Sequence, residues 1–543
     1  MPRITGRSAF LSLLKDEGIT HLFGNPGTTE LPIMHALTDH PELTFVMAMQ
    51  ESLVVAMADG YARASGKLVA CNVHVTPGLG NAMGSLYNAH FTGTPIILTA
   101  GQQEQGHGLT EPLLYGPLVR LAEPLVKWSV EVTRLEDLPR IVRRAAKVAT
   151  TPPTGPVFIS LPGDILNAEA EIELMRSSRI DSRVRPNDTA LDSAIDLIES
   201  SHRPLIIVGD EIVKSDALEA AAAIAATLAC PVYQQTIAYG AHFLSAHPCF
   251  MGALPRSPRQ TRTILAEHDL VIVLGADPLR MSVYTPDEPI SSDQAVLQIG
   301  LVDWDIAKNF PVTVGLKADV RSTLEVLVPK LRQRGPVSNE GLPGNWTEKR
   351  ALIVGGIAGL ANRVPIDADW LAFQLTEAMP DDAILIDEGL TSSKQLLALH
   401  PHRDRYGYHA LASGGIGWGI PAAVGASLAN PARPIVCYSG DGSAMYSIQA
   451  LWTAAHHKLD LTVVIANNGG YRILKQRQKA FHGDELFIGM DFADPTVDFT
   501  GLARSLGLEA IRVTAPGELQ SVLADAVRRP GTKLVEVMVD GAV

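Results

Sequence analysis

Residues 438–471, YSGDGSAMYSIQALWTAAHHKLDLTVVIANNGGY, decide the fold of this chain. The apolar segment from Pro434 to Tyr438 runs into Gly440-Asp441-Gly442. After a helical stretch, a second apolar segment from Leu461 to Ala466 runs into Asn467-Asn468-Gly469-Gly470. This pattern predicts a strand-turn-helix-strand crossover, which places both strands in one parallel sheet with their carboxyl ends at the same edge. Open α/β sheets bind ligands at that edge.

Two oxygen-bearing side chains, Asp441 and Asn468, are therefore predicted to lie side by side. Hard oxygen donors suit Mg²⁺ or Ca²⁺, and Mg²⁺ usually completes its shell with phosphate oxygens and water. The glycines allow the backbone to approach a phosphate closely. Each loop alone would more often be an ordinary turn. Because both follow strands of one crossover, together they indicate a site for a divalent metal that bridges to a diphosphate.

The rest of the chain alternates strands and helices, which predicts an α/β protein built from mostly parallel sheets. A chain of 543 residues should form about three domains at roughly 150–200 residues each. Two polar stretches, Arg176 to Thr189 and Arg334 to Glu348, are typical of linkers. They divide the chain into predicted domains at residues 1–180, 190–335 and 350–543. The middle one resembles a dinucleotide-binding sheet but has no G-x-G-x-x-G, so a structural spacer is the preferred interpretation.

The composition excludes some classes of protein. Lys and Arg total 45 against 58 Asp and Glu, a net charge of −13, whereas nucleic acid requires a basic surface. The four cysteines form no C-x-x-C pair, which favours a cytoplasmic protein without structural disulfides. No apolar run approaches the roughly 18 residues that a membrane helix requires. The composition thus argues against nucleic acid and membrane as partners and favours the cytoplasm.

The GDG and NN pair, with its spacing, resembles the signature of the thiamine-diphosphate-dependent decarboxylase and synthase family. The resemblance implies that Asp441, Asn468 and the carbonyl of Gly470 hold Mg²⁺, or Ca²⁺ in its place. It also implies a set of cofactor-binding residues in the carboxyl-terminal part of the chain. These are Gly389 and Thr391 beside the diphosphate, Gly414 and Ile416 in the loop that supplies an apolar wedge under the cofactor, Gly440, Gly442 and Ser443 in the GDG loop, and Tyr471 after the metal loop.

Glu51 begins the segment ESLVVAMADGYAR, residues 51–63. A glutamate in the first turn of a helix often interacts only with the helix dipole. The longer phrase resembles the pyrimidine-binding segment of the same family, in which one carboxyl group lies against the aminopyrimidine ring. The resemblance implies that Glu51 shares a proton with ring N1′ and so activates the cofactor.

The loop FGNPGTTELP, residues 23–32, follows an apolar strand. A Pro-Gly turn after a strand is common. Within the family this loop faces the cofactor and the substrate, which implies that Asn25 and Pro26 lie near the cofactor. Thr28 would offer its hydroxyl to the substrate and stands where the decarboxylases have serine.

His74 ends an apolar strand in the phrase NVHVTPGLGNAMG, residues 72–84. A histidine at such a place is often only a satisfied polar group. The acetolactate-synthase branch usually carries threonine here, and histidine resembles the benzoylformate decarboxylase branch. An imidazole can transfer protons near neutral pH. The resemblance therefore implies that His74 is a catalytic residue in decarboxylation.

The resemblance to the benzoylformate decarboxylase branch extends over nearly the whole chain, with two departures. One is Thr28 in place of the loop serine. Ser282, in ADPLRMSVY, stands where that branch has a second active-site histidine. The basic segment Arg472 to Lys479 follows the metal loop, and a solvated helix is favoured over a lid that binds an anionic substrate. His456 and His457 are expected to be surface or packing residues.

The sequence thus predicts a three-domain enzyme that needs thiamine diphosphate and Mg²⁺. Its reaction would be non-oxidative decarboxylation of an aryl 2-oxo acid such as benzoylformate to the aldehyde, with carboligation as a side activity. One alternative is a carboligase or lyase of the acetolactate-synthase type acting on a different 2-oxo acid or acyl substrate, and another is a non-catalytic paralogue. The family implies a homodimer or homotetramer with active sites between subunits.

Overall fold

The computed structural model describes residues 3–282, 284–335 and 345–543. The middle of the predicted second linker, residues 336–344, lies outside the described residues. The first predicted linker lacks helix and strand up to Asp188, where a helix begins.

Contacts within the chain group it into two compact units. The first unit contains three segments, Met1–Asp181, Leu385–Ser392 and Leu411–Val543. The second contains Ser182–Ile384 and Ser393–Ala410. The amino- and carboxyl-terminal parts of the chain, which carry the predicted site residues, therefore share one unit.

The amino-terminal part contains a six-stranded sheet, a separate two-stranded sheet and the helices around them. Its strands are β1 Arg3–Thr5, β2 His21–Gly24, β3 Thr44–Met47, β4 Val69–Val73, β5 Ile96–Gln102, β6 Ser129–Glu131, β7 Val157–Pro162 and β8 Glu169–Glu171. Its helices are α1 Gly6–Asp16, α2 Leu31–Ala36, α3 Glu51–Ser65, α4 Val75–Thr92, α5 Leu118–Ala122, α6 Leu138–Thr150 and α7 Gly163–Asn167. The sheet has the order β3-β2-β4-β5-β7-β6, and β1 pairs separately with β8.

Strands β4 and β5 are buried along their whole length. A strand that is apolar on both faces is typical of a parallel sheet between two layers of helices. The pairings β3–β2, β2–β4 and β4–β5 are parallel. The residues that follow β3, β2 and β4 are therefore brought to one edge of this sheet.

The second unit contains a sheet of β9 to β14 in the order β11-β10-β9-β12-β13-β14. The strands are β9 Pro204–Val208, β10 Val232–Gln234, β11 Phe250–Ala253, β12 Leu270–Leu274, β13 Ala295–Gly300 and β14 Val314–Lys317. The helices are α8 Asp188–Glu199, α9 Glu211–Lys214, α10 Leu218–Leu228, α11 Pro258–Leu265 and α12 Val320–Arg334. This order is that of a dinucleotide-binding sheet, as the sequence suggested for the middle segment.

The remaining elements include a third six-stranded sheet in the order β16-β15-β17-β18-β20-β19. The strands are β15 Ile384–Glu388, β16 Tyr408–Ala410, β17 Ile435–Gly440, β18 Leu461–Asn467, β19 Glu509–Val513 and β20 Lys533–Met538. The helices are α13 Trp346–Ile357, α14 Ala368–Ala378, α15 Leu396–Leu399, α16 Gly419–Ala429, α17 Asp441–Ala444, α18 Ala450–His456, α19 Arg472–His482, α20 Phe499–Ser505 and α21 Leu519–Arg528. Short 3₁₀ turns lie at Thr28–Glu30, Leu37–Asp39, Gln105–Thr110, Glu123–Leu125, Leu135–Asp137, Ala358–Leu360 and Pro516–Glu518.

The crossover predicted from residues 438–471 is present. Strands β17 and β18 are parallel neighbours, with Gly440 opposite Ala466. The predicted α/β class with mostly parallel sheets is therefore confirmed. Strands β15, β17 and β18 are neighbours in the sheet, and Gly389 after β15 lies beside Gly440 at the end of β17. The residues that follow these strands therefore share one edge.

Helices α3 and α16 cross at two glycines within the first unit. A Cβ on Gly60 would lie 2.1 Å from the carbonyl oxygen of Ala422, and one on Gly425 would lie 1.9 Å from that of Met57. Only glycine allows backbones to approach this closely. Helix α3 begins at Glu51, so this crossing fixes Glu51 relative to α16.

A buried polar network reinforces the crossing. Asp59 of α3 is fully buried and accepts hydrogen bonds from Trp418 Nε1 at 2.6 Å and Asn88 Nδ2 at 2.9 Å. The guanidinium of Arg63 lies 4.6 Å from the centre of the Trp418 ring. Buried polar groups need such partners to offset their desolvation. The Asp and Arg of the phrase ADGYAR therefore connect the amino- and carboxyl-terminal parts of the unit.

Candidate active site

Asp441 joins the two loops that the sequence paired. Its carboxylate is 2% exposed and accepts N–H groups from Gly442 at 2.8 Å, Gly469 at 2.7 Å and Gly470 at 3.0 Å. Burial raises the pKa of Asp441, and these backbone donors act in the opposite direction. The structure thus brings the end of β17 and the end of β18 to one buried carboxylate.

The oxygen donors beside Asp441 are amides and carbonyls. Asn467 donates to Glu536 at 2.8 Å and is buried, whereas Asn468 is half-buried at the loop. The carbonyl of Gly470 accepts the N–H of Arg472 at 3.0 Å and has a second lone pair. Within the described parts of the chain, no three His, Cys, Asp or Glu side chains cluster as metal ligands. The donor set here is therefore an oxygen set with a single carboxylate, which suits Mg²⁺.

Two glycines of the GDG loop lie beside other candidate residues. A Cβ on Gly442 would lie 2.7 Å from the ring of Tyr471, and one on Gly440 would lie 3.8 Å from the carbonyl oxygen of Gly389. Tyr471 therefore packs onto the GDG loop, and Gly389, which follows β15, lies beside Gly440. Thr391 is half-buried two residues later.

Two buried hydroxyl groups at this edge have no hydrogen-bond partner within the described residues. They are Ser443 Oγ in the GDG loop and Ser392 Oγ after Thr391. An unsatisfied buried hydroxyl costs about 1–3 kcal/mol. Open hydroxyls at this sheet edge fit the oxygens of a diphosphate. Ser392 was not singled out from the sequence, where only its nearness to Gly389 could have suggested it.

The loop that carries Gly414 and Ile416 is held by Glu388. Ile416 is half-buried and Gly414 has a φ of +83°. Glu388 is buried and accepts the N–H groups of Gly417 at 2.7 Å, Trp418 at 3.1 Å and Gly419 at 2.7 Å. Burial raises the pKa of Glu388 to about 7. Sequence reasoning missed this residue.

Glu51 is the first residue of α3 and faces the start of α4. Asn81 Nδ2 donates to Glu51 Oε2 at 3.0 Å. A Cβ on Gly78 would lie 3.0 Å from Glu51 Oε1, so this glycine leaves room for the carboxylate. One oxygen is thus fixed by Asn81, a residue that the sequence reasoning had quoted without a role.

His74 is held by a buried carboxylate. Its Nδ1 lies 2.7 Å from Glu30 Oε2, and the two side chains are 20% and 1% exposed. Glu30 also accepts the N–H of Gly101 at 2.8 Å and the hydroxyl of Thr29 at 2.8 Å. A carboxylate at Nδ1 favours the tautomer with its proton on Nδ1, which leaves Nε2 open. Sequence reasoning quoted Glu30 but gave it no role.

The loop after β2 contributes residues of different exposure. Asn25 is half-buried and its Nδ2 donates to the carbonyl of Ala48 at 2.9 Å. Pro26 is exposed, and exposed Thr28 begins a 3₁₀ turn. A Cβ on Gly27 would lie 2.1 Å from His74 Nδ1, so the loop lies directly against the His74 ring.

The predicted residues form two sets at two sheet edges. Asn25, Thr28, Glu51 and His74 lie at the edge of the first sheet where β2, β3 and β4 end. The metal and diphosphate candidates lie at the edge where β15, β17 and β18 end. Among the described residues, no hydrogen bond or ion pair joins Glu51 to Asp441.

The basic segment after the metal loop forms helix α19, and neighbouring acids pair with two of its lysines. Lys475 pairs with Asp491, and Lys479 with Glu485 at 2.7 Å. Local pairing agrees with the interpretation as a solvated helix. Ser282 is exposed in the second unit.

The two adjacent histidines are held by nearby aromatic and backbone groups. The ring of His456 stacks on that of Trp452 at 4.8 Å, and His457 is the capping residue that follows the carboxyl end of helix α18. Both positions agree with a packing role rather than a catalytic one.

No helix of the described residues is long and apolar enough to cross a membrane.

Comparison with known families finds matches along most of the chain. Residues 4–112 match the N-terminal TPP binding domain of thiamine pyrophosphate enzymes, residues 191–327 their central domain, and residues 391–537 their C-terminal TPP binding domain.

Two curated relatives illustrate the range of similar enzymes. A benzoylformate decarboxylase of Pseudomonas aeruginosa is 32% identical over 537 residues, which cover 98% of each chain. The large subunit of acetolactate synthase isozyme 1 of Escherichia coli is 27% identical over 542 residues, covering 99% of this chain and 94% of that one.

Two solved structures are also similar to this chain over nearly its whole length. The thiamine diphosphate-dependent 4-hydroxybenzoylformate decarboxylase of Rhodococcus jostii superposes with a TM-score of 0.89, at 30% identity and with 99% of each chain covered. The benzoylformate decarboxylase of Polynucleobacter necessarius gives a TM-score of 0.87, at 30% identity with 99% of each chain covered. The predicted family is therefore confirmed, and the chain belongs to the thiamine pyrophosphate enzymes.

Proposed function

We propose that the protein is a thiamine-diphosphate- and Mg²⁺-dependent decarboxylase that converts an aryl 2-oxo acid, such as benzoylformate, into the aldehyde and CO₂. The observation that carries the proposal is the His74–Glu30 contact of 2.7 Å, which leaves Nε2 of His74 as an open proton-transfer atom at the same sheet edge as Glu51. The benzoylformate decarboxylases among its relatives support the substrate class.

The residues at the third sheet's edge fit the cofactor. Asp441, Asn468 and the Gly470 carbonyl would hold Mg²⁺ as an oxygen set. The open hydroxyls of Ser443 and Ser392 would bind the diphosphate. Further cofactor contacts would come from Gly389, Thr391, Gly414, Ile416, Gly440, Gly442 and Tyr471, and from Asn25 and Pro26 at the first sheet's edge.

The chemistry divides between cofactor and protein. Bound thiamine diphosphate supplies the electron sink for loss of CO₂. Glu51, with one oxygen fixed by Asn81, would exchange a proton at its other oxygen. His74, with its Nδ1–H held by Glu30, would take up a proton from solvent at Nε2 and deliver that proton to the product. Thr28 would donate its hydroxyl to the substrate carboxylate.

We also infer self-association into a homodimer or homotetramer, with sites completed between subunits. Large apolar side chains are exposed in both parts of the first unit, among them Leu109 at 97%, Leu113 at 84%, Phe481 at 68% and Ile488 at 88%. Such exposure is typical of a surface that another protein covers. The four free, buried cysteines support a cytoplasmic location.

A carboligase of the acetolactate-synthase type is the second candidate. Acetolactate synthases are similar to the chain over its full length, and Ser282 is an exposed hydroxyl residue rather than an imidazole. A serine cannot transfer protons as an imidazole does. Decarboxylation and carboligation differ in product release and in the fate of the intermediate.

Three measurements test the proposal. Calorimetric titration of thiamine diphosphate with Mg²⁺ into metal-free protein should give saturable binding, and no binding would refute the function. Product analysis should then give benzaldehyde and CO₂ from benzoylformate; acetolactate from pyruvate, without turnover of benzoylformate, would favour the second candidate. Glu51→Gln should bind the cofactor but lose most turnover, and near-full activity would contradict its role.

A further inference from the structure

We propose that Glu388 is a positioning residue that locks the loop Ser413–Gly417 to the segment Gly389–Ser392. In this way it would set the place of Ile416 relative to the diphosphate. The proposal rests on the proposed function, since Ile416 and Gly389 matter together only when thiamine diphosphate is bound.

Both carboxylate oxygens of Glu388 are engaged with the same short stretch of backbone. Oε1 accepts the N–H groups of Gly417 at 2.7 Å and Trp418 at 3.1 Å, and Oε2 accepts that of Gly419 at 2.7 Å. These N–H groups belong to the start of α16 and to the residues before it, which no helical carbonyl can satisfy. Hydrogen bonds to a charged acceptor are stronger than neutral ones, and the helix dipole adds to the attraction.

Because of its position in the chain, Glu388 connects two separate segments of the candidate site. Glu388 is the last residue of β15 and is followed directly by Gly389. On the other side, its donor Gly417 directly follows Ile416 and has a φ of +97°. One side chain thus fixes two segments that would contact different parts of the cofactor.

The packing around the carboxylate is specific. A Cβ on Gly419 would lie 2.9 Å from Glu388 Oε2 and 3.6 Å from Cys437 Sγ. Any side chain at position 419 would therefore push the carboxylate off its donors. A glutamine at 388 would offer one acceptor oxygen to three donors, and its amide group would face an N–H.

A simple role in stability does not explain this residue. Burial raises the pKa of Glu388 to about 7. The unfolded chain would ionise near the ordinary value of 4.5, so the folded state loses stability as the pH rises from there towards 7. A carboxylate that is costly to bury, yet engaged by three donors, is accounted for by the geometry that it imposes on the loop.

The matched control is Glu211, which lies in the second unit. It is the first residue of α9, accepts the N–H of Leu301 at 3.0 Å, and has a pKa raised by burial to about 7. Glu388→Gln and Glu211→Gln each remove a carboxyl group that accepts backbone N–H and has a raised pKa. Glu211 is half-buried and lies outside the unit of the candidate site.

The experiment measures three quantities in both variants and in the wild type: the Kd for thiamine diphosphate at saturating Mg²⁺, the amide hydrogen exchange of residues 413–419, and the substrate KM and kcat. We expect Glu388→Gln to exchange faster at these amides, to bind the cofactor at least tenfold more weakly and to lose kcat by up to ~100-fold. The KM at saturating cofactor should not change. Glu211→Gln should keep the wild-type Kd.

The proposal would be overturned if Glu388→Gln kept wild-type cofactor affinity and kcat despite faster amide hydrogen exchange. Glu388 would then be a helix-capping residue only. If Glu388→Gln does not fold, Gly419→Ala serves instead, because it keeps the carboxyl group but displaces it, and the same outcomes apply. Absence of cofactor binding by the wild type would refute the proposed function itself, whereas an effect confined to the variant concerns Glu388 alone.

Discussion

The crossing of α3 and α16 gives the sharpest prediction about stability and activity together. In Gly425→Ala the new Cβ would lie 1.9 Å from the carbonyl oxygen of Met57 and 2.7 Å from the backbone nitrogen of Tyr61, whereas ordinary contact begins at 3.4 Å. Both neighbours are backbone atoms, so no side-chain rotation can relieve the clash. The two helices must therefore separate by roughly 1.5 Å to restore ordinary packing.

The expected change in the free energy of unfolding follows from two opposing contributions. Overpacking in a well-packed core costs about 1–3 kcal/mol, and the separation strains the Asp59–Trp418 contact as well. Alanine in place of glycine inside a helix returns about 0.5–1 kcal/mol. We expect a net loss of about 1–2 kcal/mol in the free energy of unfolding of the first unit, and a fall of a few degrees in its Tm.

We expect kcat to be more sensitive to this substitution than the free energy of unfolding. Glu51 begins α3 and the Ile416 loop precedes α16, so a shift between the helices would move apart the groups that we propose to act in catalysis. A displacement of about 1 Å can cost ~100-fold in rate. Scanning calorimetry and the kcat on benzoylformate measure the two effects.

Gly356→Ala provides the control. Gly356 lies on the exposed side of α13, and a Cβ there meets no atom within 4 Å. The control should be neutral or stabilising by about 0.5–1 kcal/mol, with wild-type kcat. If Gly425→Ala matched the control in Tm and kcat, the close crossing of α3 and α16 would be refuted.

Three further changes test other parts of the structure. Asp441→Asn should weaken Mg²⁺-dependent cofactor binding by about 10–100-fold with unchanged circular dichroism; unchanged calorimetric affinity would contradict its role. Glu30→Gln should lower kcat and alter the pH–rate profile, because it loosens the contact with His74 Nδ1; a wild-type profile would count against orientation by Glu30. Burial lowers the pKa of His400 to about 4 and that of His402 well below 6.5. The second unit should therefore lose stability as the pH falls below 6.5, by about 2 kcal/mol at pH 5 from His400 alone, and urea denaturation of His400→Asn should show a weaker pH dependence.

Much of the fold and part of the candidate site could be predicted from local patterns. The GDG and NN loops follow strands whose apolar runs predicted a parallel crossover, and β17 and β18 are parallel neighbours. Asp441 and the loop of Gly469 and Gly470 were expected to meet, and they share hydrogen bonds. Such signals lie within about 30 residues of chain, where strand and helix periods and turn residues act locally.

Other features depend on partners far apart in the sequence. His74 was predicted to act, but Glu30, which holds it, is 44 residues away. Asp59 was part of a recognised phrase, yet its hydrogen bond to Trp418 spans 359 residues. Glu388 gave no signal at all, because its three donors belong to a loop about 30 residues later.

The sequence by itself thus determined the α/β class, the family and the types of residue at each sheet edge. Local propensity and alternating apolar segments are enough for these. Only the tertiary structure decided which buried carboxylates satisfy which backbone and side-chain donors, as for Glu30, Asp59 and Glu388. The reason is physical: a buried polar group must find a partner, and which partner it finds depends on how distant segments pack, which no local pattern encodes.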